Sequence, residues 1–372
     1  MKIMISTPWF EPASLAGGPV RSISNMIREL SGKFRFDVFC GAKDVDGRPL
    51  EIAATDQWLD YGKDCEVFYS LNKPVVHFKK SLSTRENGCI YIVGIFSWRF
   101  TLMPLFFNSG KRVIISPRGM LHPPALAQKP FKKKVYLFLL KPFLKWKKVS
   151  FHATDAAEAE YIRRYAGADS KLFIVPNFPE IFDLMPVRKE MGKLNLVTIA
   201  LIGPMKNHLL VLKALRQCKG VIDYVICGPV YVKDYWRQCE ELIGELPSNI
   251  KVRYAGVVPS DQVKNILKSA HVFICPSKSE NYGHAIIEAL SAGKPVITSH
   301  NTPWQRLEEN KAGINSETNK DALAHAIDYF AGMDDTAYSE WIKGAGDYAR
   351  RQVDADSIRK EYEKMFVGEK SD

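Results

Sequence analysis

Short apolar runs alternate with stretches of helical period along most of the chain. In the first half the runs are Ile3–Ser6, Phe36–Cys40, Ile90–Gly94, Val113–Ser116, Ser150–Ala153 and Phe173–Val175. In the second half they are Leu196–Ile202, Tyr224–Cys227, Val252–Tyr254, Val272–Cys275 and Pro295–Thr298. Runs without strict alternation suit strands covered on both faces, as in parallel sheets with helical crossovers. Two such sets predict an α/β protein of two doubly wound, Rossmann-like domains. Helices are predicted near Leu209–Leu215, Asp321–Ala331, Thr336–Gln352 and Ala355–Phe366.

A length of 372 residues suits two domains of ordinary size. Pro176-Asn-Phe-Pro179 ends the first set, and a polar, irregular stretch from Pro186 to Lys193 precedes the next strand. The boundary is therefore expected between Pro176 and Leu194. We take 1–183 as an N-terminal domain, 184–350 as a C-terminal domain, and 351–372 as a terminal helix that packs back on the first. In open parallel sheets ligands bind beyond the carboxyl ends of the strands, so the loops there are where chemistry is sought.

The formal net charge is +11. That excess suits a phosphorylated substrate, an anionic lipid surface or nucleic acid. No recognisable nucleic-acid module accompanies it, which argues against the last. The seven cysteines are scattered, odd in number and without a Cys-x-x-Cys. This pattern reads as a reduced set, buried as small hydrophobes, without structural zinc. No apolar run approaches the ~18–20 residues of a spanning helix, and the N-terminus enters a strand rather than a signal core. A cytoplasmic location is expected, with attachment to the inner face of the membrane as an option. For that option the sequence offers residues 129–148, where eight lysines (Lys129, Lys132, Lys133, Lys134, Lys141, Lys145, Lys147, Lys148) mix with aromatics and leucines. Such a stretch suits an anionic membrane surface, or equally a packed helix with a solvated lysine face. Pro142 is expected to bend or break it.

The most informative stretch is Pro276-Ser-Lys-Ser-Glu280-Asn-Tyr-Gly283-His-Ala-Ile-Ile-Glu288-Ala-Leu-Ser-Ala-Gly293-Lys-Pro-Val-Ile. A strand ends at Cys275, a loop follows, and a helix opens near Gly283. The free N–H groups at a helix start form an anion site suited to a diphosphate. Glu280 lies in the loop and Glu288 inside the helix. A lone carboxylate pair at this spacing is more often a helix start with acidic residues that suit its dipole. The neighbours change that balance. Glu280-x7-Glu288, followed by Ala289-Leu-Ser-Ala-Gly293-x-Pro295-Val296, resembles the retaining family 4 glycosyltransferases.

The resemblance runs through most of the chain, strongest from Leu196 to Trp304 and weakest from Gly41 to Thr84. It implies the GT-B fold, with two facing Rossmann-like domains and the donor held mainly by the second. It implies that Glu280 meets the donor sugar's hydroxyls and Glu288 the ribose, while backbone at Asn281, Tyr282 and Gly283 approaches sugar and phosphates. It also implies a role for Leu201-Ile-Gly-Pro-Met-Lys206-Asn-His208. Lys206 is then a cation for the departing diphosphate. The family's usual Arg, five residues earlier, is Leu201 in this chain, so more of the charge falls to Lys206 and the helix start. Glu280 and Lys206 are the candidate catalytic residues.

Other loops are weaker signals. Gly17-Gly18-Pro19 follows the first strand and opens a helix; its glycines allow close approach of a ligand, and it is not the Gly-x-Gly-x-x-Gly of a dinucleotide site. Val257, after Tyr254-Ala-Gly256, matches the family's loop against the nucleobase. Cys227-Gly228-Pro229 ends a strand nearby. In Pro117-Arg118-Gly-Met-Leu-His122, Arg118 stands where the family often has His, a candidate for phosphate or acceptor, with His122 secondary; a purely structural loop is the equal alternative. Asp44-Val-Asp46-Gly47 resembles a metal motif of a different glycosyltransferase fold. It lacks the distal Glu of a calcium loop, reads as a solvated turn, and no metal or other cofactor is expected.

The expected function is retaining transfer of a sugar from a nucleoside diphosphate donor, a UDP-sugar first. The acceptor is a saccharide or lipid-linked saccharide in surface polysaccharide or lipopolysaccharide synthesis. The alternatives are a nucleotide-sugar epimerase of the same fold, a non-catalytic nucleotide-sugar-binding subunit, and a membrane-surface scaffold.

Overall fold

A computed structural model describes residues 1–108, 110–127, 130–146, 149–259, 262–280 and 282–368. The chain divides into two compact units, Met1–Phe178 with Ala355–Asp372, and Pro179–Asp354.

The first unit is built on eight strands: β1 (Lys2–Ser6), β2 (Arg35–Gly41), β3 (Trp58–Asp60), β4 (Cys65–Ser70), β5 (Cys89–Val93), β6 (Arg112–Ser116), β7 (Ser150–Ala153) and β8 (Leu172–Ile174). Their order is β3-β4-β2-β1-β5-β6-β7-β8. All pairs are parallel except β3 against β4. Strand β5 is buried at every position, because helices cover both faces. The second unit holds β9 (Lys193–Ile199), β10 (Val221–Cys227), β11 (Ile250–Gly256), β12 (Val272–Cys275), β13 (Val296–Ser299) and β14 (Gly313–Ser316). They are all parallel, in the order β11-β10-β9-β12-β13-β14.

The second unit shows why its strands read as unbroken apolar runs. Side chains alternate between faces. Leu194, Leu196, Ile222, Tyr224 and Ile274 pack into one core with helices His208–Leu215 and Lys320–Ala331. Val197, Ile199, Phe273, Cys275 and Val296 pack into the other with Val263–Ser269 and His284–Ser291. All seven cysteines are buried and unpaired.

Three strands escape the sequence pattern, β3, β4 and β14, and the run expected at Leu196–Ile202 is shifted to Lys193–Ile199. Strand β4 carries Glu66, which pairs with Arg85 and Lys2. Of the bend or break expected at Pro142, the break does not occur: one helix spans Pro130–Trp146. A proline there removes the bond to the carbonyl of Phe138. Both residues are exposed, so water can take that carbonyl. Lys129, Lys147 and Lys148 lie outside the described residues.

The helix Ala355–Val367 belongs to the first unit. Tyr362 stacks on Phe178, and Phe366 meets Tyr91 and Phe34 edge-on. Beneath it lies a buried polar chain. Arg118 Nη2 donates to Tyr91 Oη at 2.8 Å, Tyr91 Oη meets His152 Nδ1 at 2.7 Å, and His152 Nε2 meets the Val175 carbonyl at 2.8 Å. Arg118 takes a positive φ of 54°, which turns its side chain back onto the sheet. The Arg118 guanidinium is thus nine-tenths buried and bonded to Tyr91 through Nη2, while its Nε and Nη1 have no hydrogen-bond partner among the described residues. His122 is half-buried against Tyr161.

Candidate donor site

Lys206 and Glu280, from loops after two neighbouring strands, form an ion pair at the carboxyl end of the second sheet. Strands β9 and β12 are parallel neighbours, so the loops that follow them emerge side by side. The loop after β9 turns at Gly203, where Lys206 N–H bonds the Gly203 carbonyl at 3.1 Å. Asn207 in the left-handed region then starts helix His208–Leu215. The loop after β12 is tied to it: Lys278 N–H donates to the Met205 carbonyl at 2.8 Å. On its other side Glu280 N–H donates to the Asn301 carbonyl at 3.0 Å, and Ser299 Oγ donates to the Ser277 carbonyl. Three strand ends thus hold the backbone around Glu280.

Within this frame Lys206 Nζ bonds and pairs with Glu280 Oε1. The same oxygen accepts from Ser277 Oγ at 2.7 Å. The two side chains keep 22% and 11% of their surface exposed, so the pair is mostly sheltered yet open to a ligand at one side. Burial pulls the Lys206 ammonium down. The Glu280 carboxylate more than offsets this, and the lysine pKa rises above its ordinary value. Lys206 is a cation at any physiological pH.

Gly283 ends the loop at φ 74° and precedes helix His284–Ser291. A Cβ there would sit 3.2 Å from Ile286 and 3.3 Å from Trp304 Nε1. The indole N–H instead reaches the Tyr282 carbonyl at 2.6 Å, and the two rings meet edge-on. This fixes the turn that presents the helix start. Glu288 is buried on the same helix. Asn281 lies outside the described residues.

The corner after β10 and β11 is held by close backbone packing. Gly228 N–H bonds the Gly256 carbonyl at 2.7 Å, and Tyr254 Oη bonds the Gly228 carbonyl at 2.9 Å. A Cβ on Gly228 would lie 1.9 Å from the Ala200 carbonyl oxygen, so only glycine fits. Val257 follows at this corner, exposed. Leu201, which follows Ala200, is half-buried and has no charge to add.

Gly17 and Gly18 lie in the first unit. Gly17 has φ 64° and caps helix Gly18–Leu30, and a Cβ on Gly18 would meet nothing within 4 Å. That helix start is open. Asp44 accepts from Leu15 N–H at 3.1 Å and so anchors this loop, while Asp46 closes a turn with Arg48. Among the described residues no group of three His, Cys, Asp or Glu side chains is placed to hold a metal.

Sequence reasoning missed Ser277, Trp304 and His208. His208 sits two places after Lys206, buried, with neither ring nitrogen bonded. Burial first, and the Lys206 charge second, push it down to about 4, so it is neutral at pH 7. A histidine opening a helix directly after a candidate cation was the available signal.

Residues 184–345 match the family model "Glycosyl transferases group 1". They form a glycosyl transferases group 1 domain. The candidate donor site lies inside it. Among curated proteins, one of Escherichia coli K12, assigned to colanic acid biosynthesis as the glycosyltransferase WcaL, is 27% identical over 191 residues. The match covers 48% of this chain and 46% of that one. The chain spans less than half the length of the curated relatives it matches first. Among solved structures, sucrose-phosphate synthase from Thermosynechococcus elongatus superposes with TM-score 0.74 at 16% identity, over 98% of each chain. Anabaena HepE, solved with UDP and glucose, gives TM-score 0.69 at 14% identity over 99% of each. That likeness shows the fold of this chain, two parallel-sheet α/β units of the GT-B class.

Proposed function

We propose that the protein is a retaining glycosyltransferase that uses a nucleoside diphosphate sugar, UDP-linked, without a metal. The observation that carries the reading is the Lys206–Glu280 pair beside the start of helix His284–Ser291. A diphosphate placed there meets a fixed ammonium and the positive end of a helix dipole. As the bond between sugar and diphosphate breaks, charge grows on the departing phosphate, and these preorganised groups take it up. Glu280, held by Ser277 and by its own backbone bond to Asn301, accepts from donor sugar hydroxyls. Glu288 serves the ribose, and the Val257 backbone reads the base edge. In the first unit, Gly17 and Gly18 leave an open helix start for a phosphate or an acceptor.

A UDP donor is supported by the HepE likeness, since that protein was solved with UDP and glucose. A saccharide or lipid-linked acceptor in surface polysaccharide or lipopolysaccharide synthesis is supported by the WcaL match. The test is a panel of UDP-, GDP- and ADP-sugars with saccharide acceptors, in EDTA, followed by NMR of the new anomeric centre. Transfer from a UDP-sugar with retention is expected. Strict dependence on a divalent ion, inversion, or acceptor-independent change of the sugar would each overturn part of the reading.

A further inference from the structure

The helix Pro130–Trp146 carries two apolar faces, and among the described residues one of them packs into the core of the first unit while the other is exposed. At ~100° per residue, Tyr136, Leu137, Leu140 and Leu144 fall on one side. Leu140 and Leu144 are buried in the core of the first unit, and Tyr136 and Leu137 pack against it. Tyr136 also bonds the Ser97 carbonyl at 3.4 Å, and Lys133 turns inward to the Ala125 carbonyl at 2.6 Å. The opposite side presents Phe131, Val135, Phe138 and Leu139, at intervals of four, three and one. Phe131 and Phe138 are 78% and 77% exposed. Exposed Lys132 flanks this stripe on one edge, and exposed Lys134 and Lys141 flank it on the other. Trp98, 65% exposed, follows directly on Ser97, to which the helix is bonded.

A solvated helix face has no use for two nearly bare phenylalanines one turn-pair apart. An apolar stripe between two rows of lysine has the layout of a helix lying in a lipid interface. There the rings enter the acyl boundary while ammonium groups reach the headgroups. The +11 net charge adds attraction at longer range. No described helix is long and apolar enough to cross a membrane, so contact would be at the surface.

We propose that Phe131, Val135, Phe138 and Leu139, with Lys132, Lys134 and Lys141 and the neighbouring Trp98, form a docking face for an anionic phospholipid bilayer. The face is argued from exposure and charge alone and does not rest on the catalytic reading. Should catalysis have another site, vesicle binding is unaffected.

The full chain is to be floated with vesicles of phosphatidylcholine, with and without phosphatidylglycerol, at low and high salt. Partition is expected only with phosphatidylglycerol, weakening as salt rises. Lys134→Gln with Lys141→Gln should lower it about 25-fold, about five-fold per lysine. Phe131→Ser with Phe138→Ser should lower it more than about ten-fold. Because all four side chains are exposed, thermal unfolding and UDP binding of both variants should match the parent. No partition of the parent chain, equal partition of the variants, or equal binding to neutral vesicles would overturn the proposal. So would a dimer in sedimentation that the phenylalanine variant dissolves, because the stripe would then be covered by a second copy.

Discussion

Seventy-four positions separate Lys206 from Glu280, yet one oxygen of the carboxylate receives both the ammonium and Ser277. The sequence resemblance singled out both residues and assigned them to different parts of a donor. Their pairing was not legible, because it depends on β9 and β12 being neighbours, which no local pattern encodes. The pairing changes what each substitution does. In Glu280→Gln the lysine keeps a hydrogen-bonding neighbour and loses the charge that opposes its burial. Its pKa should then fall below the ordinary value, since burial, the largest cause, is opposed only by the weaker effect of Cys275. Loss of the cation as pH rises should give the rate a descending alkaline limb at lower pH than in the parent. A pH–rate profile of both proteins checks this. Arg118 is the opposite lesson. Its loop position offered a ligand role or a structural one, and neither its positive φ nor its bond to the buried Tyr91 hydroxyl was visible in one dimension.

At the scale of elements, strands buried on both faces were legible because apolar residues dominate them, even where Asp37 or His152 intervenes. The three missed strands each break that rule for a physical reason. Strand β3 is a three-residue antiparallel edge, and its Trp58 lies under the Arg85 guanidinium at 3.7 Å. Strand β4 has Glu66 directly after its first residue, which leaves only Val67, Phe68 and Tyr69 as an apolar run. Strand β14 begins with Gly313, where a Cβ would strike the Val296 backbone at 2.0 Å. The turn into helix His284–Ser291 depends on Gly283 in the same way. Gly283→Ala places a Cβ in the left-handed region against Ile286 and Trp304. It should cost about 1–3 kcal/mol of stability in the second unit and weaken donor binding, because the helix start must shift. Denaturant unfolding and UDP titration of the variant measure the two effects separately.

At the scale of the molecule, each unit buries a neutral histidine. His152 is pushed down to about 3, by burial first and Arg118 second, and His208 to about 4. Unfolding returns both to an ordinary value near 6.5. Between there and the folded values the unfolded chain binds more protons, so stability is full above about pH 6.5 and is lost as pH falls toward 4 and 3. Melting temperatures from pH 7 to 4 should fall steadily. His208→Leu, which removes a ring with no hydrogen-bond partner, should lessen the fall in the second unit. An unchanged acid profile would count against a buried neutral His208. Neither histidine stood out in the composition, since burial and not residue type sets their titration.

The central claim is that Lys206, beside a helix start, grips the diphosphate of the donor. Titration of UDP into the parent chain and into Lys206→Ala, in EDTA, tests it most directly. A ligand that binds only the folded chain raises its melting temperature, so calorimetry and thermal shift give the same answer. The account predicts saturable binding by the parent and a loss of at least about ten-fold in Lys206→Ala, the scale of one charge-assisted contact. Equal affinity in the two proteins would contradict it.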